Sequence, residues 1–260
     1  MKAVLLILIL GAIAFFYFQS RNTDSSTPTE SEAGWSFDFN NKTWQANGTP
    51  PECPEPFAID SPVNVNLASG ILYPGQIRGG DYKPHGGFRF DNRDTNDIEV
   101  RAVMDGYLLK ASKYLESGEP QILVFYVNEC GMMVMHDHFL TLSPKLQTAL
   151  SKLPLNAEGD SRTTIIEPKV YIKKGETLAS EIGHKNFEGR KNIFIDFGLY
   201  DLRKTNGIVF DSNFRQRFPM IDEYGAHALC WFDYLSDEEE SVVKNLPAGG
   251  IEGKTSSYCN

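Results

Sequence analysis

From Ile59 to about Tyr200, short apolar or alternating runs are broken by Gly, Asp, Asn and Pro, a pattern that predicts strands rather than helices. Glu99 to Leu109 reads as two strands around an Asp105-Gly106 turn. Ile122 to Val127 is a continuous buried-strand run, and Gly131 to Phe139 is another, entered from a Cys130-Gly131 turn. Leu146, Leu150 and Leu153 stand at helical spacing after Ser143-Pro144, which predicts one short helix. The polar stretch Asn156 to Arg162 reads as a surface loop. Val170 to Leu178 reads as strand, turn and strand, and Ile193 to Leu199 as a last buried strand. Residues 211–260 are mixed, and their acidic run Asp237 to Glu240 reads as a solvated helix face. There is no internal repeat. The expected fold class is mainly β, an antiparallel sheet or sandwich with one or two short helices.

The N-terminus departs from this pattern. After Met1-Lys2, an apolar run extends unbroken from Ala3 to Phe18. As a helix it would span ~24 Å, slightly less than the ~30 Å hydrocarbon core of a bilayer. It reads as an anchor or a signal peptide over residues 1–19. Lys2 on its short side favours an outward-facing bulk of the chain. Residues 20–56 are polar and read as a flexible linker, with folded material starting near Trp35 or, more firmly, near Phe57. The expected β domain covers 57–208, and residues 209–260 form an extension packed on it. The expected location is the cell envelope, anchored in the inner or plasma membrane or secreted to the periplasm.

That compartment gives meaning to the four cysteines, Cys53, Cys130, Cys230 and Cys259. An even count outside the cytoplasm fits two disulfides, and four cysteines allow three pairings. Because Cys53 and Cys259 both lie in loop-like ends, the expected bridges are Cys53 with Cys259 and Cys130 with Cys230. None has CxxC spacing. Asn41-Lys42-Thr43 and Asn47-Gly48-Thr49 are sequons where a host glycosylates. The formal charge of −9 argues against a nucleic-acid partner, which would reward a basic surface. The 41% hydrophobic share excludes global disorder, and 17 Phe with 11 Tyr favour an aromatic-packed β core.

Three segments, in order, resemble the lysostaphin/LytM-type zinc endopeptidases that cut peptide bridges in bacterial cell walls. Ile98 to Leu108 resembles that family's "pVyAaaDGtV" hairpin, Val170 to Gly183 its "V-kkGq-iG-vG" strand pair, and Ile195 to Arg203 with Asn206-Gly207 its "HLHFEvr…nG" strand. The resemblance spans roughly residues 60–208. It implies a tetrahedral Zn²⁺ held by the His and Asp of an H-x-x-x-D strand and the second His of an H-x-H strand, with water completing the shell. Carried over, His85 falls on the first ligand, Asp196 on the second His of H-x-H, Phe194 on the first, and His138 on the "YxHL" histidine that handles protons.

The ligand Asp has two candidates. In a gapless register Arg89 takes its place, and two inserted residues would recruit Asp91 instead. One reading is therefore metal-dependent, with His85, Asp91 and Asp196 holding one Zn²⁺ or another divalent ion and His138 as acid/base. The other is metal-free and needs no cofactor, with the Arg89 guanidinium in the cation's place, bonded to Asp196. The gapless register and the paired charge changes favour the second. The implied role is a non-hydrolytic envelope domain that binds peptidoglycan peptides or an envelope partner protein. The alternative is a divergent metal-dependent endopeptidase. His136 and His138 would share a strand face and imitate an H-x-H pair. His184 reads as an exposed loop residue and His227 as a satisfied core histidine.

Overall fold

The computed structural model describes residues 34–187 and 189–259. The apolar run 3–18 and most of the expected linker lie outside the described residues. Among the described residues, no helix is long and apolar enough to cross a membrane.

The chain is mainly β. A hairpin of β1 (Gly34–Asp38) and β2 (Thr43–Asn47) comes first. It falls inside the stretch expected to be linker, and its buried Trp35 and Trp44 tie it to the domain. Short strands β3 (Gly70–Leu72), β4 (Gln76–Arg78), β5 (Asp81–Lys83), β6 (Gly86–Arg89) and β7 (Val100–Arg101) follow. The long strands are β8 (Gly106–Glu116), β9 (Glu119–Val127) and β10 (Met132–Leu142). After helix α1 (Pro144–Ala149), capped by Ser143, come β11 (Leu155–Glu158), β12 (Thr164–Ile172), β13 (Thr177–Ile182), β14 (His184–Phe187), β15 (Arg190–Asn192) and β16 (Phe194–Asp201). Helices α2 (Ser212–Arg217) and α3 (Asp237–Asn245) lie in the C-terminal extension, so the described residues hold three short helices instead of one or two. Asp237 to Glu240 open α3, where carboxylates meet the positive end of its dipole.

The main sheet runs β11-β8-β9-β10-β16-β6-β3, with β12 on β8 and β13 bridging β10 and β7. It is antiparallel except for the β11–β8 pair. Two expectations are corrected here. Leu155–Glu158 is an edge strand, so of the expected loop at 156–162 only residues 159–162 are irregular. The strands flanking Asp105-Gly106 do not form a hairpin, because β7 pairs with β13 while β8 pairs with β9.

Alternation sorts the sheet residues onto two faces. Met132, Val134, Ile195, Phe197 and Leu199 join a large core completed by Trp231 and Phe232 of the C-terminal extension. On the opposite face, Leu123, Phe125, Val127, Met133 and Met135 pack against Trp35, Trp44 and Tyr224. That second cover reaches only part of the face, and the remainder carries polar groups.

Both disulfide pairings differ from expectation. Cys53 bonds Cys130 (Cα–Cα 5.2 Å) and Cys230 bonds Cys259 (Cα–Cα 4.9 Å). The reason lies in tertiary packing. Trp35 donates from Nε1 to Glu129 O at 3.2 Å and sits on Gly131, which brings the segment after the hairpin to the β9–β10 turn. The C-terminal tail is held elsewhere, with Tyr258 Oη donating to Gly225 O at 2.9 Å, near Cys230.

Candidate functional site

The polar part of the second face is built strand by strand. A register shift between Leu108 and Lys110 resets the parity of β8, so that Lys110, Ser112, Tyr114 and Glu116 share this face. On β16, Asp196 stands opposite Asp137 of β10 and opposite Gly87 of β6. Gly87 has a steric role. A Cβ there would lie 2.2 Å from Ile195 O and 3.1 Å from Asp196 Oδ1. Gly87→Ala is therefore expected to lower stability by ~1–3 kcal/mol through overpacking. Thermal unfolding with amide exchange on β6 and β16 checks this, and unchanged protection at both strands would reject it.

A second bulge places His138. Pairing of β10 with β9 shifts between His136 and Phe139, and His138 has φ 70°. Few non-glycine residues adopt that conformation, which costs ~1–3 kcal/mol and recurs at functional sites. The Asp137 carboxylate accepts from the His138 backbone N–H at 2.7 Å, which closes the bulge. The result separates two histidines that simple alternation puts together. His136 enters the core between Tyr126, Phe139 and Phe197, while His138 turns to the polar face. His136 and His138 therefore form no ligand pair.

Three residues far apart in sequence meet there. His85 Nε2 lies 3.0 Å from Asp196 Oδ2, and His138 Nε2 lies 3.6 Å from the same oxygen. His138 Nδ1 looks the other way, 3.5 Å from Glu116 Oε2, and His184 Nε2 is 3.6 Å from that oxygen. The row thus alternates imidazole and carboxylate: His85, Asp196, His138, Glu116, His184. His184 is positioned by Gly183, whose N–H donates to His138 O at 2.8 Å. Asn96 Nδ2 holds the same corner by donating to Ile182 O at 2.7 Å. Tyr114 Oη donates to Asp137 Oδ2 at 2.9 Å.

Charge follows from burial and neighbours. Burial opposes ionisation of Asp196, but His85 and His138 outweigh it and hold the carboxyl well below its ordinary range. Burial likewise opposes a charge on His138, and Asp137, Asp196 and Glu116 together lift it to about 9. Burial lowers His85 and His184, the latter further depressed by the His138 cation. Burial and the Asp196 charge raise Asp137. An anionic Asp196 beside a cationic His138 is the charged pair at the centre.

Arg89 and Asp91 stand apart from this row. Arg89 Nε donates to Asp91 Oδ2 at 2.9 Å, and its Nη2 donates to Asn192 Oδ1 at 3.1 Å. Asp91 lies beyond the end of β6 and is exposed. The expected Arg89–Asp196 bridge is corrected accordingly. The register puts Phe194, not Asp196, opposite Arg89, and Asp196 already has two imidazoles. The two candidates for the ligand Asp neutralise each other.

This arrangement also tests the zinc ligand set that the resemblance implies. His85 and Asp196 offer donors, but the third position holds a guanidinium, which cannot coordinate, and the Asp91 carboxylate is taken by Arg89. The set does not fit that ion. Sequence reasoning missed Glu116 and His184. Glu116 follows from β8 continuing past Leu109, and His184 is 1% exposed where an exposed loop histidine was expected. His227 is a satisfied core residue, with Nδ1 2.9 Å from Lys204 O and 3.1 Å from Asp201 O. In comparisons with known proteins, no family model, no curated protein and no solved structure matches the chain.

Proposed function

We propose that this chain is a LytM-like domain of the cell envelope whose cleft binds peptidoglycan peptides, or an envelope partner protein, without hydrolysing them. The observation that carries the reading is the Asp196 carboxylate between His85 (3.0 Å) and His138 (3.6 Å), with Arg89 committed to Asp91. Motif resemblance assigns positions 85, 138 and 196 to one cleft, and their convergence supports that assignment. The substitution pattern then argues against hydrolysis by the family's route, because one of three ligand positions carries a cation.

Partial openness of the row supports binding. The side chains of His85 and Asp196 each retain 13% exposure, and Glu116 retains 37%. Charged donors and acceptors beside an apolar core are suited to the polar backbone and termini of a peptide. Two disulfides support an extracytoplasmic location. The apolar N-terminal run, as anchor or signal, is the route proposed for reaching it.

Co-sedimentation of the full chain with purified peptidoglycan, alongside chromatography of released fragments, tests the reading. The wild type is expected to sediment and to release nothing. Asp196→Asn is expected to weaken binding ~10–100-fold, the loss that goes with one charge-assisted contact of ~1.5–3 kcal/mol. Fragments released by the wild type and not by His85→Ala would establish the endopeptidase alternative. Absence of binding to peptidoglycan and to envelope extracts alike would reject the proposal.

A further inference from the structure

The far side of His138 carries a second constellation that the peptide-binding reading does not use. Glu116 Oε2 lies 3.5 Å from His138 Nδ1 and 3.6 Å from His184 Nε2, and one ligand atom from each residue falls within 4.8 Å of the others. His138 Nδ1 and both ring nitrogens of His184 have no hydrogen-bond partner among the described residues, although both rings are more than nine-tenths buried. Buried imidazole nitrogens are ordinarily partnered, and two rings left open toward one carboxylate oxygen require a reason. The neighbouring backbone does not supply one. Gly183 N–H donates to His138 O, and Asn96 Nδ2 donates to Ile182 O and His184 O, so these contacts engage main-chain carbonyls and leave the ring nitrogens free.

We infer that Glu116, His138 and His184 bind one divalent transition-metal ion of the zinc class, at a place separate from the His85 position. Donors at about 2.0–2.1 Å around a tetrahedral ion stand about 3.3 Å from one another. The two observed separations, 3.5 and 3.6 Å, need only a small contraction to reach that value. Two imidazoles and one carboxylate select zinc, cobalt, nickel or copper over calcium and magnesium, which prefer all-oxygen shells. The ion takes the place of the His138 Nδ1 proton, which is released on binding. His138 Nε2 then keeps its own proton toward Asp196 Oδ2 at 3.6 Å, the carboxylate behind a ligand imidazole that orients metal-bound histidines.

The surroundings hold these rings in place. Phe194 packs on His138 with ring centroids 4.3 Å apart and on His184 at 5.7 Å. Gly183 has φ 79°, and a Cβ there would meet Asn192 O at 2.4 Å, so the main chain before His184 has little freedom. Glu116 is the least buried of the three, its side chain 37% exposed, so solvent reaches the site from its side. The site shares His138 with the cleft, but its test does not depend on any peptide being bound.

The full chain, stripped with a chelator and dialysed, is titrated with Zn²⁺ and separately with Co²⁺ as a spectroscopic probe. One Zn²⁺ per chain is expected, with visible Co²⁺ bands of a four- or five-coordinate ion and a rise in thermal midpoint on zinc addition. His184→Gln and Glu116→Gln are each expected to abolish stoichiometric binding and the zinc-dependent rise. Their metal-free thermal midpoints and circular dichroism should match the metal-free wild type, which separates lost ligation from lost folding. No binding to the wild type at micromolar zinc would overturn the inference. So would binding that survives both variants, or that is lost in His85→Gln and kept in His184→Gln. Peptidoglycan sedimentation by the metal-free chain reports on the peptide-binding reading independently.

Discussion

Replacing Lys110 with alanine is expected to destabilise the domain by ~3–5 kcal/mol, the cost of breaking a buried ion pair from one side. The Lys110 ammonium pairs with the Glu223 carboxylate, and their side chains are only 9% and 7% exposed. Three aromatic rings enclose the ammonium, with Nζ 4.7 Å from the Tyr224 centroid, 5.0 Å from Trp44 and 5.1 Å from Phe125. Burial works to lower the Lys110 pKa, and Glu223 opposes it. Trp44 Nε1 also donates to Glu223 O at 2.8 Å, so the N-terminal hairpin, the sheet and the C-terminal extension meet at one point. Deleting the ammonium leaves a buried carboxylate without its counter-ion and empties the aromatic enclosure. Replacing both members, Lys110→Met with Glu223→Leu, should recover most of the loss, because an apolar pair needs no compensation in a dry interior. Urea unfolding of the wild type and both variants measures this. A cost below about 1 kcal/mol for Lys110→Ala would place the pair in the class of surface bridges.

This junction also explains why the polar row lies where it does. The hairpin and Tyr224 cover one half of the sheet's second face, where Leu123, Phe125, Met133 and Met135 present apolar side chains. Farther along the same face, Tyr114 and Glu116 of β8, Asp137 of β10 and Asp196 of β16 replace them. Strands β10 and β16 are therefore apolar at the covered end, with Met135 and Tyr200, and polar at the other, with Asp137 and Asp196. A change that detaches the hairpin would expose the apolar half and leave the contacts within the polar row in place.

The elements legible in the sequence were those with strong local signals. Ile122 to Val127, Gly131 to Phe139 and Ile193 to Leu199 are dense apolar runs bounded by turns, and each lies within or overlaps an observed strand. Helix α1 follows from a serine cap and spaced leucines. The hairpin at 34–47 was hidden because its buried anchors, Trp35 and Trp44, stand alone in a polar stretch. In the site, the approach of His85, His138 and Asp196 was legible through motif order, and their chemistry was not. Two register shifts account for the difference. The one beside Lys110 sends Glu116 to the polar face, and the one beside His138 breaks the parity linking it to His136. A bulge leaves little local mark in a sequence, because it depends on which partner strand lies opposite. Disulfide pairing failed for a related reason. Loop-like character at Cys53 and Cys259 says nothing about which chain segments tertiary packing brings beside them.

His136, the histidine outside the polar row, is expected to make a large contribution to the pH dependence of stability near pH 5. Its ring is wholly buried between Tyr126, Phe139 and Phe197, and neither nitrogen has a hydrogen-bond partner among the described residues. Burial alone lowers its pKa from 6.5 to about 3. The sign follows from proton binding in the two states. In the unfolded chain the imidazole gains a proton below pH 6.5, while in the fold it stays neutral until about pH 3. Stability from this group is therefore fully present above pH 6.5 and is lost as pH falls toward 3. At pH 5, about 1.5 units below the unfolded value, the loss should be ~2 kcal/mol, at 1.36 kcal/mol per unit. His136→Leu removes the titrating group and keeps an apolar side chain in the core. The difference in unfolding free energy between pH 7 and pH 5 should therefore shrink by ~2 kcal/mol in the variant. Urea titrations of both proteins at the two pH values measure it. An equal fall in wild type and variant would mean that His136 is protonated in the fold or that other groups carry the acid sensitivity.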